Sequence, residues 1–175
     1  MVSDETAERE SRFAGLVERR SRFAFRIAYA ILRNPYDAED VVQETLLKLY
    51  RTNAWSSMRD ERAFLARAVW RMAVERLPRI RHDPLDPEIT SDDRSTPEDD
   101  LIEADRNAVV HRLIDALPEE LRQPLALSTV EELTSREIAQ IMGIAEGTVR
   151  TRLLRARQIL KLKLAGLQEG RHEKR

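Results

Sequence analysis

Arginine and threonine side chains recur on one side of a segment near the C-terminal end of the chain. Val149, Leu153 and Ala156 are spaced as the buried face of an amphipathic helix, so the residues between them face outward. The outward residues include Arg150, Thr151, Leu154 and Arg155. Exposed guanidinium groups suit the major groove of DNA, where they can bind a guanine edge or a phosphate. The chemistry that this segment predicts is DNA recognition.

The residues just before this segment predict the turn that would present it. Thr134 and Glu137 form a capping box, in which the hydroxyl and the carboxylate each accept a hydrogen bond from a free amide at a helix start. A helix is therefore expected from about Ser135, and Gly143 can adopt the left-handed conformation that turns the chain into a second helix. The cap, the turn and the spacing predict a helix-turn-helix, although arginines opposite an apolar stripe also occur on ordinary solvated faces.

The composition excludes several classes of protein. The chain has 175 residues and no cysteine, which rules out disulfides and thiolate zinc sites. The histidines His82, His111 and His172 lack ligand spacing, and we expect neither a metal nor a cofactor. No apolar run approaches the length of a bilayer span, and the N-terminal residues are acidic where a signal peptide would be basic. We therefore expect a cytoplasmic protein without membrane insertion.

Charge is distributed unevenly along the chain, although the formal net charge is only -1. Acidic residues outnumber basic ones about three to one over residues 81–120, and basic residues lead by nearly two to one from residue 121 onward. The segment 81–100 holds three prolines among many acidic residues and has little to bury, which predicts a flexible linker. We expect two small domains, at residues 1–80 and 101–165, joined by an acidic linker at 81–100 and followed by a polar tail at 166–175.

Few glycines and few strand-forming runs, against abundant Ala, Leu, Arg and Glu, predict an all-α chain. In the N-terminal domain a long helix should end at Arg33, and Asn34 should cap a second helix with Pro35 in its first turn. A loop over residues 52–60 then leads to a third helix over 61–77, which Pro78 should end. In the second domain helices are expected to open at Thr96–Pro97 and at Pro118.

Three tracts resemble bacterial RNA polymerase sigma factors of the extracytoplasmic-function (ECF) type, and the likeness covers nearly the whole chain. The tracts are residues 37–50 (DAEDVVQETLLKLY), 113–122 (LIDALPEELR) and 137–157 (EIAQIMGIAEGTVRTRLLRAR). The resemblance implies a promoter-specificity subunit with a region two domain followed by a region four domain. It implies core RNA polymerase and promoter DNA as partners, an anti-sigma protein as a further partner, and neither a small-molecule substrate nor bond chemistry.

The resemblance also implies a polymerase-binding surface. In the family the acidic face of the second helix docks on the clamp helices of the largest polymerase subunit. The matching residues here are Asp37, Glu39, Asp40, Gln43 and Glu44. Clustered carboxylates suit a basic partner surface, although acids in the first turn of a helix also complement its dipole.

For the promoter's -10 element, the family captures a flipped non-template base in the loop before the third helix and contacts the strand from that helix. The matching residues are Trp55, Arg62, Arg67, Arg71, Arg76 and Arg79. Trp55 could stack on a base or lie in the core. The chain departs from the family pattern at Arg71 and Glu75, which replace Asn and Asp, and at Pro78. A sigma-like protein that melts promoters weakly therefore stays an alternative.

For the -35 element, the resemblance implies contacts with duplex DNA from the second helix of the helix-turn-helix. The matching residues are Thr148, Arg150, Thr151, Arg152, Leu154, Arg155 and Arg157. The apolar residues Leu121, Leu125 and Leu127 could contact the polymerase flap or form core. The acidic linker could either follow the RNA path of the polymerase or act as a charged tether.

The alternative classes of function are a stand-alone helix-turn-helix regulator and an enzyme. A stand-alone helix-turn-helix regulator would bind DNA without polymerase and would leave the acidic helix without a use. An enzyme would need a nucleophile beside a base, a phosphate-binding glycine loop or a metal triad, and the sequence offers none of these. The sequence therefore favours a protein that acts by binding rather than by catalysis.

Overall fold

A computed structural model of the chain describes the backbone of residues 2–81, 109–130 and 133–172. Every regular element in those ranges is a helix, which confirms the all-α prediction. The N-terminal elements are α1 (Val2–Leu32), α2 (Pro35–Thr52), a 3-10 helix (Ala54–Ser57) and α3 (Glu61–Arg81). The C-terminal elements are α4, described over 109–115, α5 (Glu119–Ser128), α6 (Ser135–Met142) and α7 (Glu146–His172). None of these helices is long and apolar enough to cross a membrane.

The helices divide into two compact units, the first containing α1 to α3 and the second containing most of α4 to α7. In the first unit α1 packs against both α2 and α3, and α2 also packs against α3. Apolar side chains from all three helices are fully buried where they meet, namely Ile27, Val41, Leu65 and Val69. Burial of such side chains is the main source of stability for a small helical unit. This unit therefore holds the acidic face of α2 and the arginines of α3 on one scaffold.

The junction between α1 and α2 follows the sequence prediction. Arg33 adopts a left-handed conformation, with φ of 55°, and its N–H donates to the Tyr29 carbonyl at 2.8 Å. Asn34 then caps α2, because its side-chain oxygen accepts hydrogen bonds from the amides of Tyr36 at 2.9 Å and Asp37 at 3.2 Å. Pro35 occupies the first turn, where its missing N–H costs nothing. This cap sets where the acidic face of α2 begins.

The predicted end of the third helix was wrong. Helix α3 continues through Pro78 to Arg81 instead of ending at Leu77. A proline inside a helix removes one backbone hydrogen bond, yet its own φ is compatible with a helix, so the chain can continue past it. Arg81, the first residue of the linker predicted at 81–100, is the last residue of α3. The rest of that linker and the helix start expected at Thr96–Pro97 lie outside the described residues and stay predictions.

In the second unit α5 packs against α7. Leu117, Leu121 and Ala156 are buried together, and Leu125 packs against them. Leu127 is also fully buried. Packing into this core therefore accounts for the leucines that could have contacted the polymerase flap. Pro118 is the N-cap of α5, which agrees with the helix start expected there.

The helix-turn-helix has the local contacts that its sequence predicts. The Thr134 N–H donates to Glu137 Oε2 at 2.8 Å, and the Glu137 N–H donates to Thr134 Oγ1 at 3.3 Å, which completes the capping box. Gly143 has φ of 69°, and the Ile144 N–H beyond it donates to the Ala139 carbonyl at 3.1 Å. Helix α7 then runs to His172 and so extends through residues 166–172 of the predicted polar tail.

Substituting Gly143 should destabilise the helix-turn-helix through the backbone alone. A Cβ at Gly143 would meet no atom within 4 Å, but the residue lies in the left-handed region, which costs a side-chain-bearing residue about 1–2 kcal/mol. We expect Gly143→Ala to lower the free energy of unfolding by that amount, measured by urea unfolding and circular dichroism. Gly147, which is helical and equally open, supplies the control, since Gly147→Ala should leave stability unchanged or raised. Equal losses for both variants would contradict this account.

Candidate polymerase and DNA interfaces

Helix α7 presents the predicted -35 residues on its solvent side. Val149, Leu153 and Ala156 are buried, and this register turns the arginines between them outward. The exposed members of the predicted set are Arg150, Thr151, Leu154, Arg155 and Arg157, while Thr148 and Arg152 are half-buried. Leu154 is 58% exposed, which leaves an apolar side chain at the centre of a basic face. Such a leucine could contact the methyl group of a thymine.

Two side chains of this face have partners on α7 itself. The Arg150 guanidinium forms an ion pair with Glu146, one turn earlier, at 2.5 Å. The Thr151 hydroxyl donates to the Gly147 carbonyl at 2.9 Å, which leaves its oxygen as an acceptor. Exposed pairs at this spacing contribute only about 0.3–0.5 kcal/mol. Arg150 is therefore oriented by Glu146 and can leave it for a DNA acceptor at little cost.

Helix α2 carries the predicted polymerase-binding residues along one side, which we call the acidic surface. Its members are Asp37, Glu39, Asp40, Gln43 and Glu44. All but Asp37 are exposed, and Asp37 is half-buried. Ala38, Val41 and Thr45 on the opposite side are buried, so the helix is amphipathic as predicted. Tyr36 is 67% exposed and Leu47 is 47% exposed, and sequence reasoning missed both, although their spacing from Asp40 and Glu44 places them on the same side.

Arg76, predicted to contact the -10 strand, instead contacts the acidic surface. One Nη atom of its guanidinium lies 3.0 Å from Asp40 Oδ2 and 3.7 Å from Asp37 Oδ1. The other Nη lies 3.7 Å from Glu44 Oε2. These contacts join α3 to α2. They pair with carboxylates the positive charge that was expected to contact DNA. In this structure Arg76 therefore belongs with the acidic surface.

Of the two roles expected for Trp55, its position supports burial in the core rather than stacking on a DNA base. The side chain is only 7% exposed, and its ring packs against Phe13, with centroids 5.2 Å apart. The Arg12 guanidinium lies 5.9 Å from the indole centroid, a cation–π contact. The residue is thus a core tryptophan, which is one of the two roles that the sequence left open. It fixes the 3-10 helix against α1.

A cleft of about 450 Å³ lies between the start of α1 and the loop after α2. Its lining residues are Thr6, Glu8, Arg9, Arg12, Asn53, Trp55 and Ser56. Arg9 is fixed in its wall, because its guanidinium donates to the Tyr50 carbonyl at 2.8 Å and lies 4.9 Å from the Tyr50 ring centroid. Sequence reasoning missed this cleft, although Arg9 and Arg12 are one helical turn apart and were visible as a basic pair.

The other predicted -10 arginines lie on α3 in different environments. Arg67 and Arg71 are exposed. Arg62 is half-buried, with its guanidinium 4.8 Å from the Phe23 ring centroid. The Arg79 side chain lies outside those described. Arg67 and Arg71, four residues apart and so on one side of α3, remain the best candidates for contact with a strand.

Replacing Trp55 separates a core role from a base-stacking role. Because the ring is buried against Phe13, we expect Trp55→Ala to lower the free energy of unfolding by about 3–5 kcal/mol, measured by urea unfolding. Trp55→Phe keeps an aromatic ring and should recover most of that loss. A stacking residue would behave differently, since its alanine variant would stay stable and lose affinity for a single-stranded -10 oligonucleotide.

The described residues define a class of protein: a helical protein with a helix-turn-helix and an acidic surface on helix α2. Sequence comparison supplies the family. The profile described as Sigma-70 region 2 matches residues 16–82, and the profile described as Sigma-70, region 4 matches residues 108–160. The chain belongs to the ECF-type RNA polymerase sigma factors.

Relatives span the chain at moderate identity. The RNA polymerase sigma-H factor of Pseudomonas aeruginosa is 31% identical, with 89% of this chain and 93% of the relative covered. The ECF RNA polymerase sigma-E factor of Haemophilus influenzae is also 31% identical, with 84% and 86% covered. Among solved structures, the sigma factor RpoE in complex with the anti-sigma factor NepR from Bartonella quintana matches with a TM-score of 0.61 at 19% identity. That match covers 87% of this chain and 96% of RpoE, and supports the fold.

Membership of this family establishes the general function. The protein is a promoter-specificity subunit of bacterial RNA polymerase and directs transcription initiation. Its partners are core RNA polymerase and promoter DNA. It is not an enzyme, because sigma factors act by binding, and the alternative of a stand-alone regulator is not favoured.

Proposed function

We propose that the protein acts in the cytoplasm as a sigma factor in which three surfaces bind three different targets. The acidic surface of α2 binds the clamp helices of core polymerase, the exposed side of α7 binds the -35 element, and α3 with the loop before it holds the -10 strand. The observation that carries this proposal is the exposed side of α7. There Arg150, Leu154 and Arg155 stand on a helix whose opposite side is buried.

Recognition of the -35 element follows from the chemistry of that side. Arg150 and Arg155 offer planar guanidinium groups that can bind the O6 and N7 atoms of guanine, a contact worth about 1–3 kcal/mol of discrimination. Arg157, at the end of this stretch, and half-buried Arg152 are placed for phosphates, which fix register without reading sequence. We therefore expect Arg150 and Arg155 to contribute more to sequence specificity than Arg152 and Arg157.

Binding of the -10 strand is assigned to Arg67 and Arg71 on α3 and to the cleft beside the loop. Both arginines are exposed, and a single strand is bound through its phosphates by such cations. The cleft adds polar groups from Asn53 and Ser56 and basic groups from α1. Its volume is enough for one nucleobase and its sugar, and this position agrees with base capture in the loop before the third helix.

An anti-sigma protein is a proposed further partner. RpoE of Bartonella quintana was solved in complex with the anti-sigma factor NepR, and the present chain shares the fold of RpoE. The acidic surface, with exposed Tyr36 and Leu47 beside it, offers charged and apolar contacts together. A partner bound there would exclude the polymerase clamp and hold the sigma factor inactive.

Permanganate footprinting of a promoter bound by the reconstituted holoenzyme tests the -10 assignment. We expect unpaired thymines to react near the -10 element, and Arg71→Ala to weaken that signal. The departures at Arg71 and Glu75 can be tested by restoring the family residues, Arg71→Asn with Glu75→Asp. A stronger bubble in the restored variant would show that the natural chain melts promoters weakly. An unchanged footprint in Arg71→Ala would remove Arg71 from the strand's path.

A further inference from the structure

The three proposed binding surfaces do not explain why Arg76 contacts three carboxylates. Asp37, Asp40 and Glu44 fall on one stripe of α2, three and four residues apart. Arg76 reaches this stripe from α3, and its two Nη atoms bridge the three acids at 3.0 to 3.7 Å. Asp40 and Glu44 keep side-chain exposures of 61% and 60%, whereas Arg76 has 29%. Asp40 and Glu44 therefore lie on the surface, whereas Arg76 and Asp37, which is 18% exposed, lie partly beneath it.

We propose that Arg76 is a positioning residue of the polymerase-binding surface and does not contact DNA. It holds Asp37, Asp40 and Glu44 in the arrangement that a basic partner binds. This inference rests on the proposed function, because it takes the acidic surface to be the site of polymerase docking.

Electrostatics supports the positioning role. Three carboxylates within two turns of a helix repel one another, and without a counter-charge their side chains would spread over several rotamers. A partner would then have to order them on binding, which weakens the complex. The guanidinium supplies the counter-charge and fixes the three acids before the partner arrives.

The geometry leaves the surface competent to bind. Arg76 contacts Oδ2 of Asp40 and Oε2 of Glu44, so the other oxygen of each carboxylate lies outside this contact. Each carboxylate oxygen can accept two hydrogen bonds. One guanidinium among three carboxylates also leaves the cluster net negative. The surface therefore still attracts a basic partner while its carboxylates stay oriented.

A role in DNA binding fits these contacts less well. To reach a phosphate, Arg76 would have to leave three carboxylates, and those carboxylates would then repel the same phosphate. Arg71 on the same helix is exposed. The two arginines therefore make a matched pair for separating the two roles.

The test measures association and dissociation of the full-length protein with immobilised core RNA polymerase. Long-range charge acts on association, whereas ordering of contact residues acts on dissociation. We expect Arg76→Ala to dissociate about 3–10-fold faster, because the freed carboxylate side chains must be ordered in the complex, with no decrease in the association rate. Arg76→Lys should have a dissociation rate between those of the wild type and Arg76→Ala, because an ammonium group cannot bridge three acids as a guanidinium does.

Two further variants supply the contrast. Glu18→Gln removes an exposed charge from α1 without touching the Arg76 contacts, and it should leave the dissociation rate unchanged. Arg71→Ala should leave both rates unchanged and weaken binding of a single-stranded -10 oligonucleotide by the holoenzyme. Arg76→Ala should bind that oligonucleotide like the wild type. Thermal unfolding of every variant checks that the first unit remains folded.

The opposite pattern would overturn the proposal. If Arg76→Ala and Arg76→Lys keep wild-type rates with core polymerase and lose oligonucleotide affinity as Arg71→Ala does, Arg76 is a DNA contact. If Asp40→Lys with Glu44→Lys leaves core binding intact, the acidic surface is not the docking site, and the proposed function of that surface fails first.

Discussion

We expect the double substitution Arg150→Ala with Arg155→Ala to remove -35 recognition while the protein stays folded. Both side chains are exposed on α7, so their loss opens no cavity in the core. Each bidentate contact with guanine contributes about 1–3 kcal/mol, and the pair should together reduce affinity for a cognate -35 duplex about thirtyfold or more. The reduction should be far smaller for a duplex with a scrambled -35 sequence, because phosphate contacts are independent of sequence.

Fluorescence anisotropy with cognate and scrambled duplexes measures this effect at a fixed salt concentration. The matched control is Lys161→Ala with Lys163→Ala, which removes the same charge from exposed positions further along α7. The control should weaken both duplexes alike and preserve the ratio between them. If the arginine variant also preserves that ratio, α7 contributes only general electrostatic attraction and the assignment of Arg150 and Arg155 is wrong.

Reversing charge on the acidic surface should abolish binding of core polymerase. Asp40→Lys with Glu44→Lys places two cations where a basic partner is expected, and like charges brought together at an interface cost several kcal/mol. We expect affinity for core polymerase to fall about 100-fold or more, measured by biolayer interferometry. The substitutions also set cations beside Arg76, so thermal unfolding must accompany the binding measurement.

A charge-matched control distinguishes this surface from the rest of the unit. Glu10 and Glu18 are exposed on α1, and Glu10→Lys with Glu18→Lys makes the same change in net charge. That variant should keep most of its affinity for core polymerase. Equal losses of affinity in the two variants would mean that binding depends on total charge and not on the acidic surface in particular.

The features that could be predicted from the sequence are those that depend on neighbouring residues. The capping box spans only Thr134 to Glu137, and the turn needs only Gly143. The exposed side of α7 follows from the buried stripe within the same helix. Asn34 as the cap of α2 is equally local. Because each of these features satisfies its own backbone groups within a few residues, tertiary packing had little opportunity to change them.

The features that the sequence missed depend on residues far apart in the chain. The hydrogen bond between Arg76 and Asp40 joins positions 36 residues apart, and no periodicity within α3 distinguishes Arg76 from Arg71. Trp55 is buried because α1 supplies Phe13, and the cleft beside it exists because α1 begins early enough to bring Arg9 alongside α2. Such contacts follow from how α1, α2 and α3 pack, which local patterns do not specify.

In vitro transcription shows whether the protein directs initiation at specific promoters. Purified core polymerase, this protein and a library of promoter fragments are combined, and the transcripts are sequenced. We expect specific start sites that share upstream elements and that are lost with Arg150→Ala and Arg155→Ala. Failure to obtain specific transcripts, with DNA binding intact, would contradict the account and leave a helix-turn-helix protein that binds DNA without directing initiation.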